Sequence, residues 1–135
     1  MASGIWLRIM KSIVKTESLN KITKEISKNK NVEAIFLFGS YARGKSHRFS
    51  DIDLCVILND DNWLGVRYSA DDDFDVSFFH LLPLAVQFRV FREGRALFIR
   101  NKKYIERLMR RTIREYLDFR DSLHRICLER LKCLT

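Results

Sequence analysis

Apolar residues recur along the chain with two different periodicities, one typical of helices and one of strands. In residues 16–30 an apolar residue recurs every three or four positions among Lys, Glu and Ser, which predicts a surface helix with one buried face. Residues 33–38 form a short apolar run ended by a glycine, which predicts a buried strand leading into a turn. Residues 51–58 and 74–79 are the next strand candidates, separated by an acidic and polar loop.

The rest of the chain predicts mainly helix. Pro83 suits the first turn of a helix and Gly94 is placed to end it. The predicted buried face of this helix consists of Leu84, Phe88 and Phe91. Residues 95–99 should form a short extended segment. From Lys102 onward the helical period predicts a long basic amphipathic helix, which the acidic residues near 118–121 could interrupt.

Length and composition favour a single α+β domain over residues 1–135. With 135 residues, of which 47% are apolar and 31% charged, the chain should fold around one core at about 16–99, with a helical segment at about 102–133. We expect a small mixed β-sheet packed by helices. The apolar runs are far shorter than the roughly 18 residues of a membrane span, so we predict a cytoplasmic protein. Whether residues 1–14 are ordered or bind a partner stays open.

The charge and the cysteines narrow the classes of partner and site. A net charge of +8 favours contact with a polyanion or an acidic protein, although basic residues can also simply solvate helix faces. Three cysteines, Cys55, Cys127 and Cys133, are odd in number and lack metal-ligand spacing. The sequence therefore predicts neither a disulfide framework nor a zinc site.

Two motifs carry the candidate chemistry. The first is the turn at Gly39 and Ser40, where free backbone N–H groups and a hydroxyl could bind a phosphate oxygen, and where glycine allows close approach of a ligand. The second is the pair Asp51 and Asp53, which point to one side of a strand because side chains alternate with period two. Their carboxylates repel unless a cation lies between them, and hard oxygen ligands beside phosphate favour magnesium.

An Asp-x-Asp pair on its own is more often a turn cap with a solvent-facing neighbour than a metal site. The joint occurrence of the two motifs changes that balance. Segment 39–44 (Gly-Ser-Tyr-Ala-Arg-Gly) with segment 50–54 (Ser-Asp-Ile-Asp-Leu) resembles the signature of the DNA polymerase β-type nucleotidyltransferases, and specifically the minimal nucleotidyltransferases. The small size and the basic segment 111–120 resemble the MntA antitoxins that pair with HEPN toxins.

This resemblance implies the nucleotidyltransferase fold and roles for particular residues. Gly39 and Ser40 would bind the triphosphate of ATP, and Asp51 and Asp53 would hold Mg²⁺, with two ions expected. Three further residues enter with less distinct roles. Asp75 best matches the third carboxylate, which ligates metal or accepts a proton, and Asp73 is the fallback. Arg43 could contact a phosphate or pair with a nearby acid.

The resemblance also implies a function with alternatives. The leading hypothesis is an antitoxin that transfers AMP from ATP to a tyrosine of a HEPN ribonuclease, in a hetero-oligomer with that toxin. One alternative is a non-catalytic antitoxin that occludes its partner through the helix after Lys102. Another is nucleotide transfer to a small molecule or an RNA end. Direct nucleic-acid binding is not favoured.

Overall fold

The chain folds into a four-stranded sheet with helices on both faces. The computed structural model describes residues 17–39, 52–68 and 74–133. These ranges contain two short 3₁₀ turns, Trp63–Gly65 after the second strand and Phe79–Leu81 after the third. The helices and strands are α1 (17–27), β1 (Val32–Phe38), β2 (Ile52–Leu58), β3 (Phe74–Phe78), α2 (Leu84–Glu93), β4 (Arg95–Ile99) and α3 (Lys102–Cys133).

The sheet is mixed, with strand order β3-β2-β1-β4. β1 pairs antiparallel with both β2 and β4, whereas β2 and β3 run parallel. The extended segment expected at 95–99 is therefore the edge strand β4. This arrangement confirms the predicted α+β class and the small mixed sheet.

Two hydrophobic cores lie on opposite faces of the sheet because successive strand residues point to opposite sides. On one face, α1 buries Ile26 against Ile35 and Leu54. On the other face, α2 and α3 cover a second cluster that includes Cys55 and Val90. The central strand β2 is thus buried on both sides, which explains its nearly continuous apolar sequence.

Helix boundaries differ from the predictions in two places. α1 ends at residue 27 rather than 30, where the Asn29 side-chain Nδ2 donates to the Ile26 carbonyl at 2.9 Å. α3 is continuous through the predicted break at 118–121. An aspartate costs less than about 1 kcal/mol in a helix interior, and neither Gly nor Pro occurs there to interrupt the backbone.

The buried face of α2 also differs in detail from the prediction. Its one fully buried residue is Val90, while Leu84, Phe88 and Phe91 are half-buried. Phe91 fills the space between α2 and the sheet, since its ring meets Phe36 edge-on with centroids 5.6 Å apart. Gly94 follows the last turn, as predicted.

Polar contacts fasten the end of the sheet where β1 begins and β2 ends. The Arg100 guanidinium donates from Nε to the Val32 carbonyl at 2.9 Å and from a terminal nitrogen to the Asn29 carbonyl at 3.2 Å. The Tyr104 hydroxyl donates to the Leu58 carbonyl at 3.2 Å. These bonds connect α1, β4 and α3 to the same end of the sheet. None of the described helices combines the length and apolarity that crossing a bilayer requires.

The two described cysteine side chains should differ sharply in reactivity. Burial between the sheet and α2 raises the pKa of the Cys55 thiol to about 12, whereas Cys127 is exposed on α3. Because only the thiolate is alkylated, iodoacetamide at pH 8 should modify Cys55 at least about 100-fold more slowly than Cys127. Peptide mapping by mass spectrometry measures both rates in one sample, and urea should abolish the difference. Equal rates in the folded protein would contradict the buried position of Cys55.

Candidate functional site

Two carboxylates lie side by side at the end of the sheet where β2 begins. Asp53 on β2 is the register partner of Asp75 on the parallel strand β3, so the two residues share a face of the sheet about 4.8 Å apart. Ile52 and Leu54 are buried in the α1 core. Asp53 therefore points to the opposite face, where it is half-buried, and Asp75 beside it is exposed.

The turn after β1 packs directly against Asp53. Gly39 has φ of +82°, a backbone conformation that side-chain-bearing residues rarely adopt. A Cβ atom added at Gly39 would overlap Oδ2 of Asp53 and would lie 3.3 Å from its Cγ. Glycine is therefore needed here twice, for its backbone angle and for the space that the carboxylate occupies. This contact joins the two motifs that are separate in the sequence.

An aromatic side chain completes the described part of the site. Phe38 on β1 is the register partner of Asp53 from the other side, and it is half-buried against the α2 and α3 core. The apolar run 33–38 predicts only that Phe38 belongs to a buried strand. The period-two alternation from Phe36 was the signal that places it on the same face as Asp53.

The structure places three of the six predicted site residues in one corner. Gly39, Asp53 and Asp75 come together as described above. The other three, and the fallback Asp73, lie outside the described residues: Ser40, Arg43 and Asp51. Within the described ranges no group of three or more potential metal ligands occurs. The acidic part of the described site consists of the carboxylates of Asp53 and Asp75.

These residues fit a hard divalent cation beside a phosphate. Two aspartates on one face supply the oxygen ligands that magnesium prefers. Because Gly39 has no side chain, the Asp53 carboxylate lies directly against the backbone of the turn that would carry the phosphate. The half-burial of Asp53 lowers the screening of its charge by water, which strengthens its attraction for a cation.

A separate groove opens at the other end of β2. It has a volume of about 380 Å³ and is lined by residues that include Asp60, His80 and Arg111. Its lining begins at Ile57, four positions along β2 from Asp53 and thus about 13 Å away. Asp60 is engaged in its own loop, where Oδ1 accepts from the Asn62 backbone N–H at 3.0 Å. The groove therefore does not share the paired-carboxylate chemistry.

Replacing Gly39 with alanine should damage both stability and the site. The positive φ and the overlap with Asp53 should lower the free energy of unfolding by about 1–3 kcal/mol, measured by urea denaturation. Gly65→Ala is the matched control, because its new Cβ meets only the end of the flexible Asn62 side chain, and it should change stability by less than about 0.5 kcal/mol. Equal stabilities of the two variants would contradict the contact between Gly39 and Asp53.

Comparison with known proteins gives the site its context. Residues 20–103 match the family model described as polymerase beta, nucleotidyltransferase. The chain is 31% identical over 68 residues to a candidate protein adenylyltransferase of Methanocaldococcus jannaschii, a match that covers 50% of this chain and 56% of that protein. The chain spans about half the length of the curated relatives it matches.

Solved structures share the fold. A chain of a toxin–antitoxin complex with AMP-PNP superimposes with a TM-score of 0.65 at 24% identity, covering 82% of this chain and 95% of that chain. A chain of the complex between a tri-AMPylated Shewanella oneidensis HEPN toxin and its MNT antitoxin gives a TM-score of 0.58 at 20% identity, covering 82% and 92%. Because the family model spans more than half of the sequence and includes Gly39, Asp53 and Asp75, this chain belongs to the polymerase β-type nucleotidyltransferase family.

Proposed function

We propose that this chain is a Mg-ATP-dependent adenylyltransferase that transfers AMP to a tyrosine of a HEPN-type ribonuclease and so acts as its antitoxin. The observation that carries the proposal is the packing of Gly39 against Asp53, with Asp75 in register beside them. This arrangement combines a close-approach turn for phosphate with two acidic side chains. Nucleotidyl transfer needs both in one place.

The related proteins support the choice of substrate and partner. The M. jannaschii relative is a candidate protein adenylyltransferase. One matched complex contains AMP-PNP, and another contains an AMPylated HEPN toxin bound to an MNT antitoxin. For this chain we therefore infer ATP as the nucleotide and a toxin protein as the acceptor, in a hetero-oligomer.

The nucleotide would bind at the turn after β1. The backbone of Gly39 and the Ser40 hydroxyl would donate hydrogen bonds to phosphate oxygens, and Arg43 would add positive charge near the triphosphate. Phe38 and the buried strand behind it give this turn a rigid support. Holding the α-phosphate still lowers the entropic part of the barrier.

The different exposure of the two described aspartates suggests different roles. Asp53 is half-buried under the turn, so we assign it with Asp51 to the phosphate side, where both would hold magnesium. Asp75 is exposed on β3, an edge strand of the described sheet, so an acceptor protein can reach it. When bound, magnesium supplies positive charge that offsets the negative charge on the phosphate oxygens.

The proposed reaction assigns one task to each of these positions. The tyrosine hydroxyl oxygen attacks the α-phosphorus of ATP and forms a new P–O bond, while the bond from the α-phosphorus to the bridging oxygen breaks and pyrophosphate leaves. Asp75 accepts the hydroxyl proton and passes it to solvent. The rate enhancement would come mainly from positioning and charge stabilisation, because no covalent enzyme intermediate is needed.

Removing the charges of Asp51 and Asp53 should abolish AMP transfer without unfolding the chain. The double variant Asp51→Asn, Asp53→Asn keeps side-chain volume and removes two charges, so AMP transfer should fall by at least about 100-fold. The assay incubates the chain with ATP, Mg²⁺ and the protein encoded by its genomic neighbour, and intact mass spectrometry detects the added AMP. Asp60→Asn, Asp61→Asn makes the same charge change at the far end of β2 and should keep full activity.

Two results of that assay would count against the proposal. If the wild-type chain adds no AMP to this protein, the transfer function is wrong. If the Asp51→Asn, Asp53→Asn variant still neutralises the toxin in cells as well as wild type, the occlusion alternative replaces catalysis. The exposed second half of α3 is the feature that favours occlusion as the second candidate.

Metal removal gives an independent test. In this proposal Asp51 and Asp53 hold the cation that offsets the phosphate charge. EDTA should therefore reduce AMP transfer to background, and excess Mg²⁺ should restore it. Circular dichroism should show the same helical signal with and without EDTA, since the described cores are apolar and contain no metal ligand set. Full activity in EDTA would contradict the assigned role of the acids.

A further inference from the structure

The two halves of α3 have different surroundings. In the first half, Ile105 and Leu108 are buried against the sheet, and Tyr116 stacks on Phe88 of α2 with ring centroids 4.1 Å apart. In the second half, every residue from 118 to 132 is exposed. This stretch is about 22 Å long at 1.5 Å per residue. Isolated helices of this length are marginal in water, so the described part of the fold gives this half little support.

An apolar stripe continues along the unsupported half. Phe119, Leu123 and Ile126 extend the three- and four-residue spacing of the buried residues before them, and they are 50%, 45% and 54% exposed. We call these three residues the tail stripe. Five of the nine large apolar side chains exposed in the described structure lie in this half of α3. A stripe of this kind is typical of a helix face that packs against another molecule.

Charge selects the kind of molecule that the tail stripe fits. Arg130 lies one turn after Ile126 on the line of the stripe, and Arg120 borders the stripe on one side, while Asp118 and Glu129 border it on the other. A surface that is apolar at its centre and acidic at the part of its rim that meets Arg130 and Arg120 would match this pattern.

A second copy of the chain and a nucleic acid match it less well. α3 carries ten Lys and Arg residues against five Asp and Glu, so two copies paired along this helix would bring like charges together. A nucleic acid would neutralise the arginines but would leave the apolar stripe in contact with water.

We infer that the tail stripe is the docking surface for the acceptor protein, held through an apolar patch with an acidic rim. The inference rests on the proposed function, because the protein bound at the tail stripe would be the acceptor whose tyrosine reacts near Asp75. Docking on α3 would raise the effective concentration of the acceptor tyrosine at the site. Binding and chemistry would then depend on separate parts of the chain.

Two leucines provide a matched pair for the test. Leu123 is in the tail stripe, and Leu128 is equally exposed at 45% but lies about 140° around the helix from it. Leu123→Asp should raise the Kd for the purified protein encoded by the genomic neighbour at least about tenfold, measured by isothermal titration calorimetry. Leu128→Asp should change it by less than about twofold. Both variants should fold, because neither side chain is buried.

Kinetics and charge reversal complete the test. With the acceptor varied, Leu123→Asp should raise KM and leave kcat and nucleotide binding unchanged, since it acts only on docking. Arg130→Glu should weaken binding and reduce its dependence on salt, because it removes an attraction to an acidic rim. Unchanged binding by Arg130→Glu would overturn the acidic rim.

The outcomes separate this inference from the proposed function. If the wild-type chain transfers AMP and both leucine variants bind the acceptor equally well, the docking surface is wrong and the transferase function stands. If the wild-type chain transfers no AMP but Leu123→Asp alone loses binding, the function is wrong and the surface stands. A wild-type chain that does not bind this protein, or that forms a dimer dissociated by Leu123→Asp, overturns the docking inference.

Discussion

The contact between the Asp53 carboxylate and the backbone of Gly39 is the constraint on which the site depends. It holds because β1 and β2 pair antiparallel, which brings the end of one strand beside the start of the next. It also requires a glycine with positive φ, since any Cβ would occupy the space of the carboxylate. The parallel strand β3 then adds Asp75 at the same level. A shift of β2 by one residue would turn Asp53 into the α1 core and destroy the arrangement.

Sequence periodicity predicted most of this fold, and tertiary packing decided the rest. The run from Ile52 to Leu58 predicted a strand, but not its parallel pairing with β3, because strand direction depends on contacts between distant segments. The residue that α2 buries fully is Val90, since the helix rotates to place Phe91 against Phe36. For the site, the alternation of side chains along a strand predicted which face of the sheet Asp53 points to. The close approach of Gly39 to the Asp53 carboxylate depends on the pairing register of β1 and β2, which the sequence pattern does not contain.

The long helix α3 shows why an amphipathic pattern does not by itself locate a helix within a fold. The same three- and four-residue spacing runs from Ile105 to Ile126, yet packing against the sheet ends near Tyr116, where α2 supplies its last partner through Phe88. The amphipathic pattern predicts only that one face of the helix is covered. Whether the covering surface belongs to the same chain or to another molecule depends on how far the domain extends.

The polar bonds of Arg100 and Tyr104 all lie at the end of the sheet away from Asp53. Asn29 adds to them by clamping the Arg67 backbone to the end of α1 through bonds of 3.1 Å in both directions. The strands are therefore fastened together at the end of the sheet remote from Asp53. Because none of these bonds involves Gly39, Asp53 or Asp75, substitutions in the candidate site leave in place the contacts that keep the strands aligned.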